Sequence, residues 1–217
     1  MAALCLAVAA AGAAPHAGRT GRIVGRVHLV TTASSRPLAI AYPSRWLPTQ
    51  GTPPREIENV VVYLQGMPAT PVPERRYELR QAGELFLPHV LPIPLGSRVA
   101  FVNADPFYHN VFSLSHAGTF DLGRFPRGQT RERQFQRAGL VKVFCHLHSD
   151  MSAVIMVLDH PWFATPQADG GFVLANVPAG RHTVAAWHER VGEARTSVDV
   201  PAGGTATVEF VLPVIEP

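Results

Sequence analysis

The stretch "VFCHLHSDM", residues 143 to 151, sets a thiol, two imidazoles, a carboxylate and a thioether within nine positions. Cys145, His148 and Met151 follow the spacing C-x-x-H-x-x-M, which a tight loop can aim at one point. A loop this short cannot fold back far enough to give a fourth ligand at a good angle. A second imidazole must therefore come from elsewhere, and "NADPFYHNVFS" offers His109, set after a Pro-containing turn where a strand pattern begins. Two nitrogens and a thiolate in a plane with a weak axial thioether suit copper cycling between its two oxidation states. Zinc more often takes four Cys or His ligands and rarely recruits methionine. Ligation would also deprotonate the thiol and shield it.

Simpler roles compete for each residue. A cysteine on an apolar strand is ordinarily a small buried hydrophobe, and methionine ordinarily fills gaps in cores. For Cys145, His109, His148 and Met151 the spacing favours ligation, whereas Met156 falls on the following strand and reads as core. Strand alternation carried past Cys145 turns His146 away from it, as a solvated imidazole. Asp150 reads as a loop-shaping residue bonded to nearby backbone. His28, His89, His116, His160, His182 and His188 show no ligand spacing.

The elements that position these side chains are strands. Hydrophobic residues make up 47% of the 217 and charged residues 16%, with 20 prolines and 18 glycines, and long amphipathic helical patterns are absent. Together these favour an all-β protein large enough to need no disulfide staple. The runs "RIVGRVHLV", "ENVVVYLQ", "SRVAFVNA", "LVKVFC", "SAVIMVLD", "GGFVLANV", "HTVAAWH", "RTSVDV" and "TATVEFVL" alternate with period two and are punctuated by Gly, Pro and Asp-Gly. "HLHSDM" becomes the loop joining two of them. Residues 31 to 58 and 66 to 76 are Pro-, Ser- and Thr-rich and read as an insertion loop and a linker. About seven strands are expected between Tyr77 and His160.

The net charge of +3 is carried almost wholly by arginine, Lys142 being the sole lysine, and along the chain the basic residues look scattered. A nucleic-acid footprint needs a patch, so no nucleic-acid partner is expected. No Gly-rich phosphate loop stands between a strand and a helix, and no Ser/His/Asp order fits a hydrolase. Residues 1–13, "MAALCLAVAAAGA", form an apolar run of small residues closed by an A-x-A pattern and read as a signal peptide. Export to the periplasm or beyond would leave Cys145 as the one remaining thiol, liable to oxidation unless buried or ligated.

"PFYHN" followed by "FCHLHSDM" resembles the cupredoxins, the blue-copper fold of plastocyanin and amicyanin, with the short amicyanin-type ligand spacing. The wider frame from "ELFLPHVLPIPLGSRVAF" to "LANVPAGRHTVAAWH" resembles bacterial proteins labelled methylamine utilization or plastocyanin-like. The resemblance implies a Greek-key β-sandwich over residues 77–160 and copper held by His109, Cys145, His148 and Met151. It also implies that Asn110 ties the two ligand loops together, and that the chain is a one-electron carrier working with redox partner proteins rather than an enzyme. The D-G-x-F and P-A-G-R-x-T-V patterns between Asp169 and Val184 resemble a small transthyretin-like sandwich, implied as one discontinuous unit of residues 20–66 and 164–217. A plainer arrangement makes the N-terminal strands an extension of the central block. A copper chaperone or storage protein with the same ligands, which His146 would favour, and a metal-free adhesion module stand as alternatives.

Overall fold

A computed structural model describes residues 19–32 and 56–215; the expected signal peptide and most of the expected insertion loop lie outside them. Among the described residues there are sixteen strands and a single 3-10 turn, Glu56–Asn59. The strands are β1 (Thr20–Thr32), β2 (Val61–Gln65), β3 (Arg76–Ala82), β4 (Leu85–Leu87), β5 (Val90–Pro94), β6 (Arg98–Asn103), β7 (His109–Ser115) and β8 (Gly118–Phe125). They continue with β9 (Thr130–Gln134), β10 (Gly139–Phe144), β11 (Ser152–Leu158), β12 (Phe163–Ala164), β13 (Gly171–Pro178), β14 (Gly180–His188), β15 (Gly192–Val200) and β16 (Thr205–Ile215). The fold is an all-β sandwich. Nine strands, rather than about seven, occupy residues 76 to 158, and Arg76 at the end of the expected linker already belongs to β3.

These strands form four sheets, ordered β13-β1-β16, β12-β2-β14-β15, β5-β11-β10-β7-β8 and β4-β3-β6-β9. β1 lies antiparallel to β13 and parallel to β16, while β2 pairs antiparallel with β12 and β14. Period-two alternation sorts the apolar side chains into three hydrophobic layers between the sheets. One contains Ile23, Val62, Leu64, Phe172, Val184 and Phe210. Another, the layer beneath the candidate site, contains Phe101, Val111, Phe125, Val143, Cys145 and Ile155. The third, thinner layer joins the two halves of the molecule through Val61, Val90, Val154, Met156 and Leu158.

β11 carries the site's base. Its Ala153, Ile155 and Val157 face the layer beneath the site, whereas Val154, Met156 and Leu158 face the joining layer. A strand buried on both faces reads as a continuous apolar run, as "AVIMVL" does. Its neighbour β10 is buried on one face only, with Val141 and Val143 inside and Leu140 and Lys142 outside.

Five of the eighteen arginines are grouped in space. Arg124, Arg127, Arg131, Arg133 and Arg137 lie on β8, β9 and the adjoining loops, and all five are exposed. All five fall within residues 124 to 137, and β8 and β9 are edge strands of two different sheets.

Because Ile155 and Met156 point into different layers, truncation of either should destabilise the protein by about 2–5 kcal/mol. Denaturant unfolding of Ile155→Ala and Met156→Ala checks this. A Met156→Ala variant as stable as the parent would mean that the two halves do not pack along β11.

Candidate metal centre

The loop from Cys145 to Met151 is closed by its own backbone. The Cys145 amide donates to the Met151 carbonyl at 3.3 Å and the Met151 amide to the His148 carbonyl at 3.1 Å. Phe144 and Ser152 remain paired across the base of the loop. This turn carries the Cys145 and His148 side chains to one end of the sandwich. There they meet His109, the first residue of β7, reached through the turn at Pro106.

The donors form a tight triangle. Cys145 Sγ lies 3.8 Å from His109 Nδ1 and 3.8 Å from His148 Nδ1, and the two nitrogens are 3.0 Å apart. No other group of three such side chains converges within 4.8 Å among the described residues. An ion bonded at about 2.0–2.1 Å to each nitrogen and about 2.3 Å to sulfur needs S···N separations of about 3.8 Å at 120°. The same bond lengths place two nitrogens about 3.0 Å apart at an angle of roughly 95°. The triangle therefore has the size of a metal's coordination shell. Met151 is 1% exposed and lies in the same hydrophobic layer as Cys145.

A carboxylate fixes the orientation of His109. Its ring is fully buried, and Nε2 donates to Asp105 Oδ2 at 2.8 Å, leaving Nδ1 to face the other donors. Asp105 also accepts the amides of Gly83 (2.7 Å) and Glu84 (3.0 Å), the two turn residues between β3 and β4. Both turn residues have positive φ, 62° and 59°, so the turn needs such an acceptor to satisfy its amides. Burial by itself would raise the Asp105 pKa, but the Glu84 amide, His109 and the Gly83 amide bring it below the usual carboxylate range. Carboxylates that hold a metal-binding imidazole this way set its tautomer and raise its basicity. Asp105 was not singled out in the sequence; its only signal is its position four residues before His109.

Asn110 joins the two ligand segments. Its amide points at Cys145 Sγ (3.5 Å), its side-chain oxygen accepts the His146 amide (3.4 Å), and its Nδ2 donates to Asp121 Oδ1 (2.7 Å). Asp121 reaches this position because β8 bulges opposite Asn110 to Phe112, with Gly123 at φ 70° supplying the left-handed residue. Phe107 packs against both imidazoles, at ring separations of 5.2 Å from His109 and 5.3 Å from His148. His146 turns outward as expected, but it is not simply solvated: its ring stacks on Phe112 at 3.7 Å. His89 Nε2 lies 2.9 Å from a Glu189 oxygen, whose hydrogen bond raises the His89 pKa, whereas burial lowers that of His188, whose Nε2 lies 2.8 Å from Glu56.

Burial works against ionising Cys145, yet His109, the Asn110 and Leu147 amides and His148 outweigh it and lower the thiol from 9.0 to about 6. Burial also works against charge on His109, but Cys145 and Asp105 together hold its pKa above the ordinary imidazole value. The site is built to keep a thiolate, the form that binds metal.

No protein-family model matches the chain, and a comparison with curated proteins finds no match. Among solved structures the chain is similar to a reduced amicyanin mutant, at 19% identity over 37% of this chain and 80% of that one, with a TM-score of 0.36. It is similar to a purple cupredoxin from Nitrosopumilus maritimus at 22% identity over 38% and 99%, TM-score 0.35. A copper-containing nitrite reductase from Thermus scotoductus matches at 22% identity over 60% of this chain and 28% of that one, TM-score 0.37.

Two outcomes follow from the geometry. In the metal-free protein, ultraviolet thiolate absorbance should titrate with a midpoint near pH 6. Since the folded pKa lies below the unfolded one, the stabilisation from this ionisation is complete above pH 9.0 and is lost as pH falls through about 6. A midpoint at the ordinary thiol value would remove the hydrogen bonds assigned to Sγ. Asp105→Asn should weaken metal affinity by about 10–100-fold in competition with a chelator; unchanged affinity would reduce Asp105 to a clip on the β3–β4 turn.

Proposed function

We propose that the chain is a single-copper electron carrier of the cupredoxin type, exported to the periplasm or beyond, and not an enzyme. The observation that carries this reading is the 3.8, 3.8 and 3.0 Å triangle of one buried sulfur and two imidazole nitrogens. His109, Cys145 and His148 would hold the ion, with Met151 as the weak fourth ligand. Copper bound there supplies one-electron chemistry, alternating between Cu(II) and Cu(I), and a thiolate with two imidazoles accommodates both states.

The chain's own residues limit the rearrangement that such a cycle costs. Asp105 holds the His109 ring, Asn110 holds the thiolate and the start of the ligand loop, and Phe107 packs on both imidazoles. Beside the ligands, Tyr108 (56% exposed) and Leu147 (37% exposed) give that end of the sandwich apolar contact for redox partner proteins. On this reading residues 77–160 are the cupredoxin unit, inserted into a transthyretin-like sandwich of residues 20–66 and 164–217 that serves as its support. The copper chaperone or storage alternative draws no help from His146, whose ring stacks on Phe112 rather than joining the cluster.

Adding Cu(II) to the purified chain should produce an intense visible thiolate-to-copper band that bleaches reversibly on reduction and is absent in Cys145→Ser. Tight Cu(I) binding without that band, lost rapidly to a chelator, would instead assign the chaperone role. No copper binding by the parent chain would end both.

A further inference from the structure

Between Gly118 and Arg137 lie five arginines against two acids, Asp121 and Glu132. That excess of +3 equals the net charge of the whole chain, so the rest of the protein is balanced. The five share one side of the sandwich, where β8 is the edge of its sheet and β9 the edge of the facing one. Glu132 turns away from them and pairs with Arg76 at 2.8 Å.

Two of the arginines are fixed without being neutralised. The Arg131 guanidinium lies 5.7 Å over the Phe125 ring and that of Arg133 lies 5.8 Å over Phe120. Their stems close the gap between the sheets while the charges stay outside. At the far end, Arg133 and Arg137 line a cleft of about 350 Å³ with His116, Gln134 and Gln136. Charged residues on an edge strand also discourage sheet-to-sheet aggregation. That role needs charges on an edge strand itself; it covers Arg124, Arg131 and Arg133 but does not account for Arg127 and Arg137 in the loops.

The edge starts at the metal centre. Phe125, which lies beneath Arg131, pairs across the β7–β8 ladder with His109, and Arg124 pairs with Asn110. From Phe125 back to Gly118 the eight-residue strand spans about 23 Å at 3.3 Å per step. A partner bound along it would lie one strand away from His109.

We propose that the edge formed by Arg124, Arg127, Arg131, Arg133 and Arg137 is the docking surface for an acidic redox protein. The part of this that concerns electron exchange rests on the copper-carrier reading. Carboxylates complement this surface in sign, and steering of this kind raises association rates by about 10–1,000-fold at low ionic strength. A membrane would need apolar side chains to insert among the charges, and none of the exposed large hydrophobic residues lies between Gly118 and Arg137. Single-stranded nucleic acid would need open aromatic faces to stack on, and the two phenylalanines here are covered by guanidinium groups.

The test uses the isotope-labelled, metal-free full chain and a decaglutamate peptide, with amide shifts read by NMR at low and high salt. The peptide should shift amides in residues 118–137, lose affinity as salt rises, and bind at least about tenfold more weakly to an R124E/R127E/R137E variant. Those three side chains lie outside the aromatic contacts, and circular dichroism checks that the variant folds. No shifts in this segment, or equal binding by the variant, overturns the proposal. So does an oligonucleotide or a phosphatidylglycerol vesicle binding there as tightly as the peptide or more so. A second readout uses the reduced, copper-loaded chain, which passes one electron to an oxidant. The variant should be oxidised at least about tenfold more slowly by anionic hexacyanoferrate(III) and faster by cationic tris(phenanthroline)cobalt(III). Unchanged rates with both oxidants overturn the link between this edge and the metal. A chain that binds the peptide but no copper overturns the carrier reading alone.

Discussion

One sulfur and two nitrogens, all electron-pair donors, face one another in a space largely shut off from water. Cys145 is 4% exposed and His109 fully buried, yet Sγ and the two Nδ1 atoms lie within 3.8 Å of each other. Three donors brought this close repel unless a cation lies between them, and burial removes the water that would otherwise screen them. A proton can join one pair; a metal ion joins all three. The depressed thiol pKa and the raised His109 pKa record the same tendency, each favouring the charge its neighbour needs.

The rest of the fold keeps that arrangement in place. Both ligand segments belong to the sheet β5-β11-β10-β7-β8, and β11, which anchors the end of the ligand loop, is buried on both faces. His109 is fixed from the opposite sheet, because Asp105 binds its ring and the β3–β4 turn at once. Shifting one ligand relative to the other therefore disturbs two sheets and a turn. Rigidity of this kind lets an ion change charge without moving its ligands far.

Much of this was legible in the sequence, for identifiable reasons. Each of the nine alternating runs falls on an observed strand, since period two with β-branched residues describes a half-buried strand well. Among the strands outside those runs, β9 is the charged edge "TRERQ", β5 carries two prolines, β8 is broken by the Gly123 bulge, and β4 and β12 span only three and two residues. His109, Cys145 and His148 could be grouped because copper chemistry restricts the residue types and the loop restricts the spacing. Asp105 could not, because its contacts with Gly83 and Glu84 join residues more than twenty apart. The five arginines fall within residues 124 to 137, so their density was readable along the chain; that β8 and β9 are both sheet edges on one side of the sandwich was not.

X-ray absorption at the copper edge of the loaded chain tests the shared-ion arrangement most directly. It should find two nitrogen scatterers and one sulfur in the first shell, the sulfur the farther out, as in zinc sites with the same donors. A shell of light atoms with no sulfur would contradict it, and the triangle around Cys145 would then be a buried hydrogen-bonded thiol rather than a metal centre.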